Sequence, residues 1–470
     1  MTGVVIVGGG IAGLAAAYEL TRRGVPFVLL EAGARLGGVV LSEPVDGYVL
    51  DAGPDALLVQ KPDAIRLCEE LGIGGRLVPT KPPRIAYVQR GGTLHPLPDL
   101  SVMGIPTRLG PFLGSRLFSW AGKVRMGAEL FVPARRDDED ESIGALMRRR
   151  FGREATDYLA EPLLAGIHAG DVDRLSVRML FPRFVDAERT HGSLLLGFRK
   201  EQASRPAGAD QGAFRSLPGG LGELIDTLAA RLPPQSIRLN AAAIRLGTSS
   251  EGDGFVVSTV SGETFTARSV VLAAPTFVTA GLTRTVNPEL ARSCDAIPYA
   301  STATISLAFP RSAVAHPLNG SGFVVPKVEG TGILAASWMS SKWPGRAPDG
   351  HVLLRAFVGG ARDPHALDDT DDELVTRALG ALTPLLGISA PPRLARLYRW
   401  MRATAQYEVG HAARVSAIER ALERTPGLYV TGSGFRGNGI PNCIADGRAT
   451  AVRSAAWLGT AALCAEESRV

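Results

Sequence analysis

The pattern of hydrophobic and polar positions at the start of the chain predicts a strand, a helix and a second strand. An apolar run begins near residue 3, a glycine-rich turn and a helical segment follow, and a second apolar run ends at Glu31. Continuous apolar runs are typical of strands buried on both faces of a parallel sheet. The chain therefore opens with a predicted βαβ unit.

The turn of this unit has the spacing Gly8-x-Gly10-x-x-Gly13, which is typical of dinucleotide binding. Gly8 permits the tight turn, Gly10 leaves room for a pyrophosphate, and Gly13 lets the helix pack closely on the sheet. The free N–H groups at the start of the helix favour phosphate charge. Glu31 can accept hydrogen bonds from both ribose hydroxyls and would repel a 2′-phosphate, so NADP is disfavoured. The turn alone leaves NAD and FAD open.

Periodicity and turn residues predict further elements along the chain. Residues 299–360 alternate as an antiparallel sheet does. The predicted elements are helices at 63–71, 142–151, 371–386 and from 441 to about 463, a hairpin over 84–94, and strands at 237–246, 270–274, 304–309, 323–326, 352–358 and 428–432.

Composition limits the classes of function. The 470 residues are 45% hydrophobic and 21% charged, which is typical of a globular chain of two or three domains. Of the 51 Lys and Arg residues 45 are arginine, and the net charge is +5. Basic residues form no dense run with interleaved aromatics, so we expect no nucleic-acid partner.

Cysteine and histidine positions predict no metal site. Cys68, Cys294, Cys443 and Cys464 are scattered and predict free thiols in a reducing compartment, and the seven histidines form no metal-spaced cluster. The first strand starts too early for a signal peptide, and no apolar run reaches about 18 residues. We expect a protein that is not secreted and that lies in the cytoplasm or peripherally on the cytoplasmic face of a membrane.

Residues 95–135 are unlike the rest of the chain, because they combine Leu, Phe, Trp and Met with only basic charges until Glu129. A basic amphipathic segment of this kind can lie on a membrane surface. Helices of an internal subdomain would give the same pattern, and the residues alone leave both open. The acidic run at 137–141 is interpreted as a solvated helix start, because acids are favoured at a helix N-terminus.

Longer motifs extend the opening turn. They are RLGG at 35–38, DAGPDAL at 51–57, EPLLAGIHAGD at 161–171, LPGGLGELIDTL at 217–228 and GSGFRGNGIPNCIADG at 432–447. Over essentially its full length the chain resembles the FAD-dependent amine-oxidase superfamily and, within it, the oxygen-dependent protoporphyrinogen oxidases.

The resemblance implies an α/β fold with an α+β second domain. A Rossmann-like FAD-binding domain would be formed by residues 1–80, 206–294 and 416–470. An antiparallel-sheet substrate domain would be formed by 81–94 and 295–415, and a mostly helical membrane-binding domain by 95–205.

The resemblance also implies non-covalent FAD, oxidation of protoporphyrinogen IX to protoporphyrin IX with removal of six electrons, and reoxidation by O2 to give H2O2. The flavin N5 would take the hydride, and no acid–base residue is expected. The residues expected to hold the cofactor are Gly8, Gly9, Gly10, Ile11, Ala12, Gly13, Glu31, Ala32, Arg35, Gly37, Gly38, Gly53, Pro54, Asp55, Ala56, Ala243, Ala274, Trp400, Gly434, Gly439, Ile440 and Pro441.

The substrate-binding residues implied by the resemblance lie in the middle of the chain. Arg84 aligns with an arginine that pairs with a propionate, and Val324 and Phe357 align with apolar residues that sandwich the ring. Gly166, Ile167 and Ala169 lie in the loop that borders the pocket. A surface arginine and plain strand core would give the same local patterns.

Other functions stay open. An amine oxidase is disfavoured because residues 302–306 carry no lysine and residues 403–407 no cysteine for covalent FAD. A coproporphyrinogen III oxidase would share the fold and the chemistry, but its four-carboxylate substrate needs more cationic anchors. A porphyrin carrier that contains a flavin would bind both ligands without turnover. Further candidate partners are a membrane surface, a ferrochelatase and a second copy of the chain.

Overall fold

The computed structural model describes residues 2–97, 101–102, 105–106, 109–203, 212–249 and 254–467. Parts of the predicted membrane segment, at 98–100, 103–104 and 107–108, lie outside the described residues. Among the described helices, none is both long enough and apolar enough to cross a bilayer.

A seven-stranded sheet, here called the nucleotide sheet, carries the opening βαβ unit. Its order is Ile237–Arg238, Phe27–Leu30, Thr2–Val7, Thr264–Leu272, Phe255–Thr259 and Ala243–Thr248, with Leu428–Val430 paired parallel to Thr264–Leu272. Five of these strands are parallel, and their carboxyl ends meet at one edge. In open α/β sheets this edge is where ligands bind.

A second seven-stranded sheet, here called the second sheet, includes the predicted hairpin. Its order is Leu394–Ala405, Tyr299–Pro310, His351–Gly359, Ala335–Trp338, Gly322–Val324, Ala86–Arg90 and Thr93–Pro96. All pairs are antiparallel except Gly322–Val324 with Ala86–Arg90. The expected antiparallel sheet is confirmed.

Smaller sheets and the remaining helices complete the fold. The other strands are Ser42–Val45 with Tyr48–Asp51, Leu57–Leu58 with Phe214–Ser216 and Val78–Pro79, and Ser101–Val102 with Ile105–Pro106. The α-helices are Ile11–Arg22, Asp63–Glu70, Leu109–Gly114, Trp120–Gly127, Ile143–Phe151, Arg153–Ala155, Val177–Leu180, Pro182–His191, Leu194–Ala203, Gly222–Ala229, Thr276–Thr283, Pro288–Asp295, Met339–Lys342, Asp371–Leu386, His411–Glu423 and Ile440–Glu467. A π-helix spans Thr156–Ala165, and 3₁₀ turns span Gly74–Arg76, Ala128–Phe131, Gly166–His168, Pro234–Ser236, Arg311–Ala313, Lys327–Glu329 and Ala366–Asp368.

The helix predicted near 371–386 is confirmed as Asp371–Leu386, and local signals fix both of its ends. Thr370 and Glu373 form a capping box at its start. Gly387, with φ of 59°, adopts the left-handed conformation that ends it.

The predicted strand over 237–246 is wrong, because two short strands replace it. Between them Asn240 takes a φ of 54°. The N–H groups of Asn240 and Ala241 donate to the carbonyls of Gly33 and Glu31 at 2.9 and 2.8 Å. These bonds to the loop after the second strand bend the chain and end its pairing in the sheet.

The strands of the nucleotide sheet all come from residues predicted for the FAD-binding domain. Those of the second sheet come from the segments predicted for the substrate domain, except that the last strand runs on to Pro96. The helices between Leu109 and Ala203 share one hydrophobic core. The exact domain boundaries stay predictions.

Candidate active site

The first glycine-rich turn has two glycines that the fold requires and one that leaves space. A Cβ on Gly13 would lie 1.9 Å from the carbonyl oxygen of Gly8, and Gly8 itself has a φ of 109°. A Cβ on Gly10 would meet no atom within 4 Å. The chain therefore holds open a cradle at the N-terminus of helix Ile11–Arg22, whose first turn contains Ile11 and Ala12. This cradle fits a phosphate group.

Glu31 holds the edge of this cradle. Its two carboxylate oxygens accept the N–H groups of Gly9 and Gly33, each at 2.7 Å. A carboxylate has about four acceptor positions, so capacity for ribose hydroxyls is left. Ala32 follows directly, and Ala243 begins the strand after the bend that is bonded to Glu31.

The RLGG segment packs against the first turn. The N–H of Gly37 donates to the carbonyl of Gly9 at 2.8 Å, and a Cβ on Gly38 would lie 3.3 Å from Gly10 Cα. The Arg35 guanidinium donates to the carbonyls of Leu36 and Gly38 at 3.0 and 2.5 Å. It thereby shapes its own loop, and its contact with a phosphate stays a prediction.

Gly53 and its neighbours connect this cradle to the second sheet. A Cβ on Gly53 would lie 1.8 Å from the carbonyl oxygen of Val39. The Trp400 indole donates to the carbonyl of Ala52 at 2.9 Å, and Arg355 donates to the carbonyl of Gly53 at 2.7 Å. The expected cofactor residues 53–56 therefore lie between the first turn and the strand that carries Trp400.

The Asp55 carboxylate is occupied by protein partners. It accepts from Lys342 and Arg355 at 2.6 Å and from the Trp343 indole at 2.7 Å. Burial raises the pKa of this carboxyl, but the two cations outweigh burial and hold the pKa well below its ordinary value. The side chain anchors the segment, whose residues Pro54 and Ala56 are half-buried, and the contact of residues 53–56 with the cofactor stays a prediction.

Residues 432–439, here called the C-terminal turn, close the cradle from the other end of the chain. A Cβ on Gly434 would lie 2.3 Å from Thr276 Cγ2, two residues after Ala274. Gly439, Ile440 and Pro441 then start helix Ile440–Glu467.

This C-terminal helix lies against the first helix of the chain. A Cβ on Gly447 would lie 2.3 Å from the carbonyl oxygen of Ala12. The N-terminal parts of the two helices therefore pack against each other, and the positive end of each helix favours negative charge.

Val324 and Phe357 lie on one face of the second sheet. The register pairs Val324 with Ala335 and Ala335 with Phe357, so the three side chains form a row across neighbouring strands. The Arg355 guanidinium lies over the Phe357 ring at 4.7 Å. The two predicted residues thus form one wall beside Gly53, whereas the resemblance implied that they sandwich a ring.

The loop at 166–170 meets this wall and the C-terminal turn. The Ala169 carbonyl accepts from the N–H of Ala361, just beyond the strand that carries Phe357, at 2.8 Å. The Asn438 amide donates to His168 Nδ1 at 3.0 Å. Ile167, beside Gly166, leaves 66% of its surface exposed. The structure therefore brings these predicted loop residues to the C-terminal turn and to the end of the strand that carries Phe357.

Two cations lie near these elements. Arg84 Nε donates to the carbonyl and hydroxyl oxygens of Thr80, both at 3.1 Å, just before the strand that pairs with Gly322–Val324. Lys61, which we did not single out from the sequence, is close enough to His168 for its charge to lower the pKa of that imidazole. Lys61 also interacts electrostatically with Cys443. Burial, with a smaller contribution from Lys61, lowers the pKa of His168 to about 4, so its imidazole is neutral at pH 7.

The fold agrees with three comparisons with known proteins. The family model for flavin-containing amine oxidoreductases matches residues 11–453. The chain belongs to this family. The match confirms the predicted flavin, FAD, and identifies a flavin-dependent oxidoreductase, while non-covalent attachment stays a prediction.

Relatives in this family are similar to the chain over nearly its whole length. A Bacillus subtilis (strain 168) protein named coproporphyrinogen III oxidase is 37% identical over 95% of this chain and 96% of its own. A Spinacia oleracea protein named chloroplastic protoporphyrinogen oxidase 1 is 29% identical over 94% of this chain and 82% of its own. A crystal structure from Exiguobacterium sp. 255-15, provisionally named a protoporphyrinogen oxidase, has a TM-score of 0.86 and 33% identity over 97% of this chain and 99% of that one.

Proposed function

We propose that the protein oxidises a porphyrinogen to the porphyrin, and that coproporphyrinogen III is its substrate. The observation that supports a wide apolar substrate is the wall of Val324, Ala335 and Phe357 next to the backbone of Gly53. The relative named coproporphyrinogen III oxidase is 37% identical, against 29% for the one named protoporphyrinogen oxidase.

The chemistry removes three hydrides and three protons from the macrocycle. When bound, FAD supplies the hydride acceptor and passes the electrons to O2, which gives H2O2. Because the product gains aromaticity, the protein need only bind, orient and exclude water. The wall formed by Val324 and Phe357 would set the plane of the ring, and the loop carrying Ile167 would cover its far side.

The cations near the site support the four-carboxylate substrate over protoporphyrinogen IX, which has two. Arg84 and Arg215 both lie against Gly212. A Cβ on Gly212 would lie 2.8 Å from Arg84 Nε, and the Gly212 carbonyl accepts a hydrogen bond from Arg215 at 3.1 Å. Arg215 lies on the strand that pairs with Leu57–Leu58, shortly before Lys61. An arginine can hold a carboxylate through two parallel bonds, which fixes orientation as well as adding affinity.

Aerobic turnover of the holoenzyme with each porphyrinogen tests the proposal, with porphyrin fluorescence and H2O2 as readouts. We expect kcat/KM at least about tenfold higher for coproporphyrinogen III, equal to about 1.4 kcal/mol. A preference for protoporphyrinogen IX would favour the second candidate substrate. Porphyrin binding without O2 consumption would identify a carrier and overturn the enzymatic proposal.

A membrane surface is the proposed partner of the helical region. Trp120 and Val124 share one face of helix Trp120–Gly127 and are 69% and 72% exposed, and Phe131 is 87% exposed. Exposed aromatic and aliphatic side chains beside basic residues such as Arg116 favour the lipid interface.

Co-sedimentation with anionic liposomes tests this partner. The double variant Trp120→Ser and Phe131→Ser should stay in the supernatant, whereas Val260→Ser, which removes a 65% exposed valine from the nucleotide sheet region, should sediment like the unmodified protein. Equal sedimentation of both variants would contradict membrane docking by this surface.

A further inference from the structure

Two stacked rings lie beneath the C-terminal turn. Tyr407 is 1% exposed and His411 is fully buried. Their ring centroids are 3.9 Å apart, and the ring planes differ by 14°. Tyr407 follows strand Leu394–Ala405 of the second sheet, and His411 begins helix His411–Glu423.

Both rings bind the backbone of the turn at alternate residues. The Tyr407 hydroxyl donates to the carbonyl of Ser433 at 2.9 Å and accepts the N–H of Gly437 at 2.8 Å. His411 Nε2 lies 3.0 Å from the carbonyl oxygen of Phe435. Since a carbonyl only accepts, Nε2 carries the proton of the imidazole.

The neutral imidazole is therefore the form that the site holds. His411 Nδ1 is buried and has no hydrogen-bond partner among the described residues. Burial lowers the pKa of His411 to about 4, which keeps the ring neutral at pH 7. A neutral ring can stack on Tyr407 and donate to Phe435 without an unpaired buried charge.

The turn depends on these side chains for its shape. Gly437 has a φ of 151°, a conformation that side chains rarely adopt. The carbonyls of Ser433 and Phe435 and the N–H of Gly437 would lose these partners if the rings were removed. A backbone group that loses its hydrogen-bond partner away from water destabilises the conformation that holds it. Gly434, an expected cofactor residue, lies between two of the bonded positions.

We propose that Tyr407 and His411 are positioning residues for the flavin. They fix the C-terminal turn, and through it the start of helix Ile440–Glu467, at the distance that the flavin ring requires. This inference rests on the proposed function only in placing the turn beside the flavin, and it does not depend on which porphyrinogen is oxidised.

Tyr407→Phe tests the proposal, because it keeps the ring stack and removes only the hydroxyl. Tyr87→Phe is the matched control, since Tyr87 is 8% exposed and its hydroxyl donates to the carbonyl of Asn319 at 3.2 Å, far along the second sheet. The readouts are the visible absorption spectrum of bound flavin, the Kd for FAD, and the thermal midpoint of each apoprotein.

We expect Tyr407→Phe to shift the flavin bands and to raise the Kd for FAD about tenfold, which equals about 1.4 kcal/mol. Tyr87→Phe should leave the flavin spectrum and the Kd for FAD unchanged. It should lower the thermal midpoint of the apoprotein about as much as Tyr407→Phe does. An unmodified spectrum and Kd in Tyr407→Phe, or equal flavin effects in both variants, would overturn the proposal.

A second pair of variants separates positioning from packing. His411→Gln keeps an N–H donor for Phe435 and should retain the flavin spectrum, whereas His411→Leu keeps volume without a donor and should reproduce the Tyr407→Phe shift. Identical spectra for the two would contradict the role of His411. Because these readouts use FAD alone, failure of the porphyrinogen assay leaves this test intact.

Discussion

Gly10→Ala separates what the cofactor needs from what the fold needs. Gly10 has φ of −70° and ψ of 176°, which any L-residue can adopt. A Cβ there meets no atom within 4 Å, whereas one on Gly13 would lie 1.9 Å from the Gly8 carbonyl oxygen. We expect the Gly10→Ala apoprotein to match the unmodified one to within about 1 kcal/mol. Gly13→Ala should cost about 1–3 kcal/mol or more, because backbone must move.

The expected loss in FAD affinity follows from the same geometry. The new methyl group would fill the cradle in front of helix Ile11–Arg22 and displace the phosphate from its N–H donors. A hydrogen bond to a charged group contributes about 1.5–3 kcal/mol. Losing one such bond raises Kd about 10- to 100-fold.

The assay is fluorescence titration of apoproteins with FAD, alongside thermal unfolding without FAD. Gly75→Ala is the matched control, because a Cβ on Gly75 also meets no atom within 4 Å. It should leave both Kd and stability unchanged. If Gly10→Ala binds FAD like the unmodified protein, the cradle is not the phosphate site. If it unfolds as readily as Gly13→Ala, the steric reasoning is wrong.

Three further perturbations probe buried charge and substrate contacts. Asp55→Asn leaves Arg355 and Lys342 without their carboxylate and should lower the free energy of unfolding in urea by about 3–5 kcal/mol. Glu289→Gln, which breaks the exposed pair with Arg424, should lower it by less than about 1 kcal/mol. Because the pKa of Asp55 is lowered, its contribution to the free energy of unfolding is present above about pH 4 and is lost as the pH falls. The Asp55→Asn variant should lack this acid dependence. Equal losses of stability in Asp55→Asn and Glu289→Gln would refute the predicted ranking. The pKa of His411 is about 4 in the fold and about 6.5 when unfolded, so stability should fall between pH 6.5 and 4, and His411→Gln should flatten that slope in pH-dependent melts. Arg84→Ala should raise KM for coproporphyrinogen III more than it lowers kcat, unlike Lys81→Ala nearby, and an unchanged KM would remove Arg84 from the site.

Local signals made much of the nucleotide-binding half predictable. The Gly8-x-Gly10-x-x-Gly13 spacing lies within a few residues of the turn that it determines. In the segment predicted for the substrate domain, the Thr370 capping box likewise adjoins the helix that it starts. The partners of Asp55 lie 287 to 300 residues away, so no local pattern could have indicated that its carboxylate is occupied. The break in the strand over 237–246 likewise depends on carbonyls of Glu31 and Gly33 from another strand end.

The same limit explains Val324 and Phe357. Period-two alternation shows that each faces one side of its strand, but only the pairing through Ala335 shows that both face the same side. Tyr407 and His411 carried no recognisable motif, and their role follows from the stacking that the fold creates.

Arg355 joins the segment expected to contact the cofactor to the wall of Val324, Ala335 and Phe357. It donates to the carbonyls of Asp51 and Gly53, pairs with Asp55 and lies over the Phe357 ring. One buried side chain therefore sets the position of the wall relative to the expected cofactor backbone.

Because strands and buried ion pairs form the wall, the distance between the substrate ring and the flavin should be insensitive to which porphyrinogen binds. Discrimination between two and four carboxylates is then expected from the exposed cations Arg84 and Lys61, which lie outside this wall. Variants of these two cations should change substrate preference while leaving the flavin spectrum unmodified, and a spectral change without a change in preference would contradict this division.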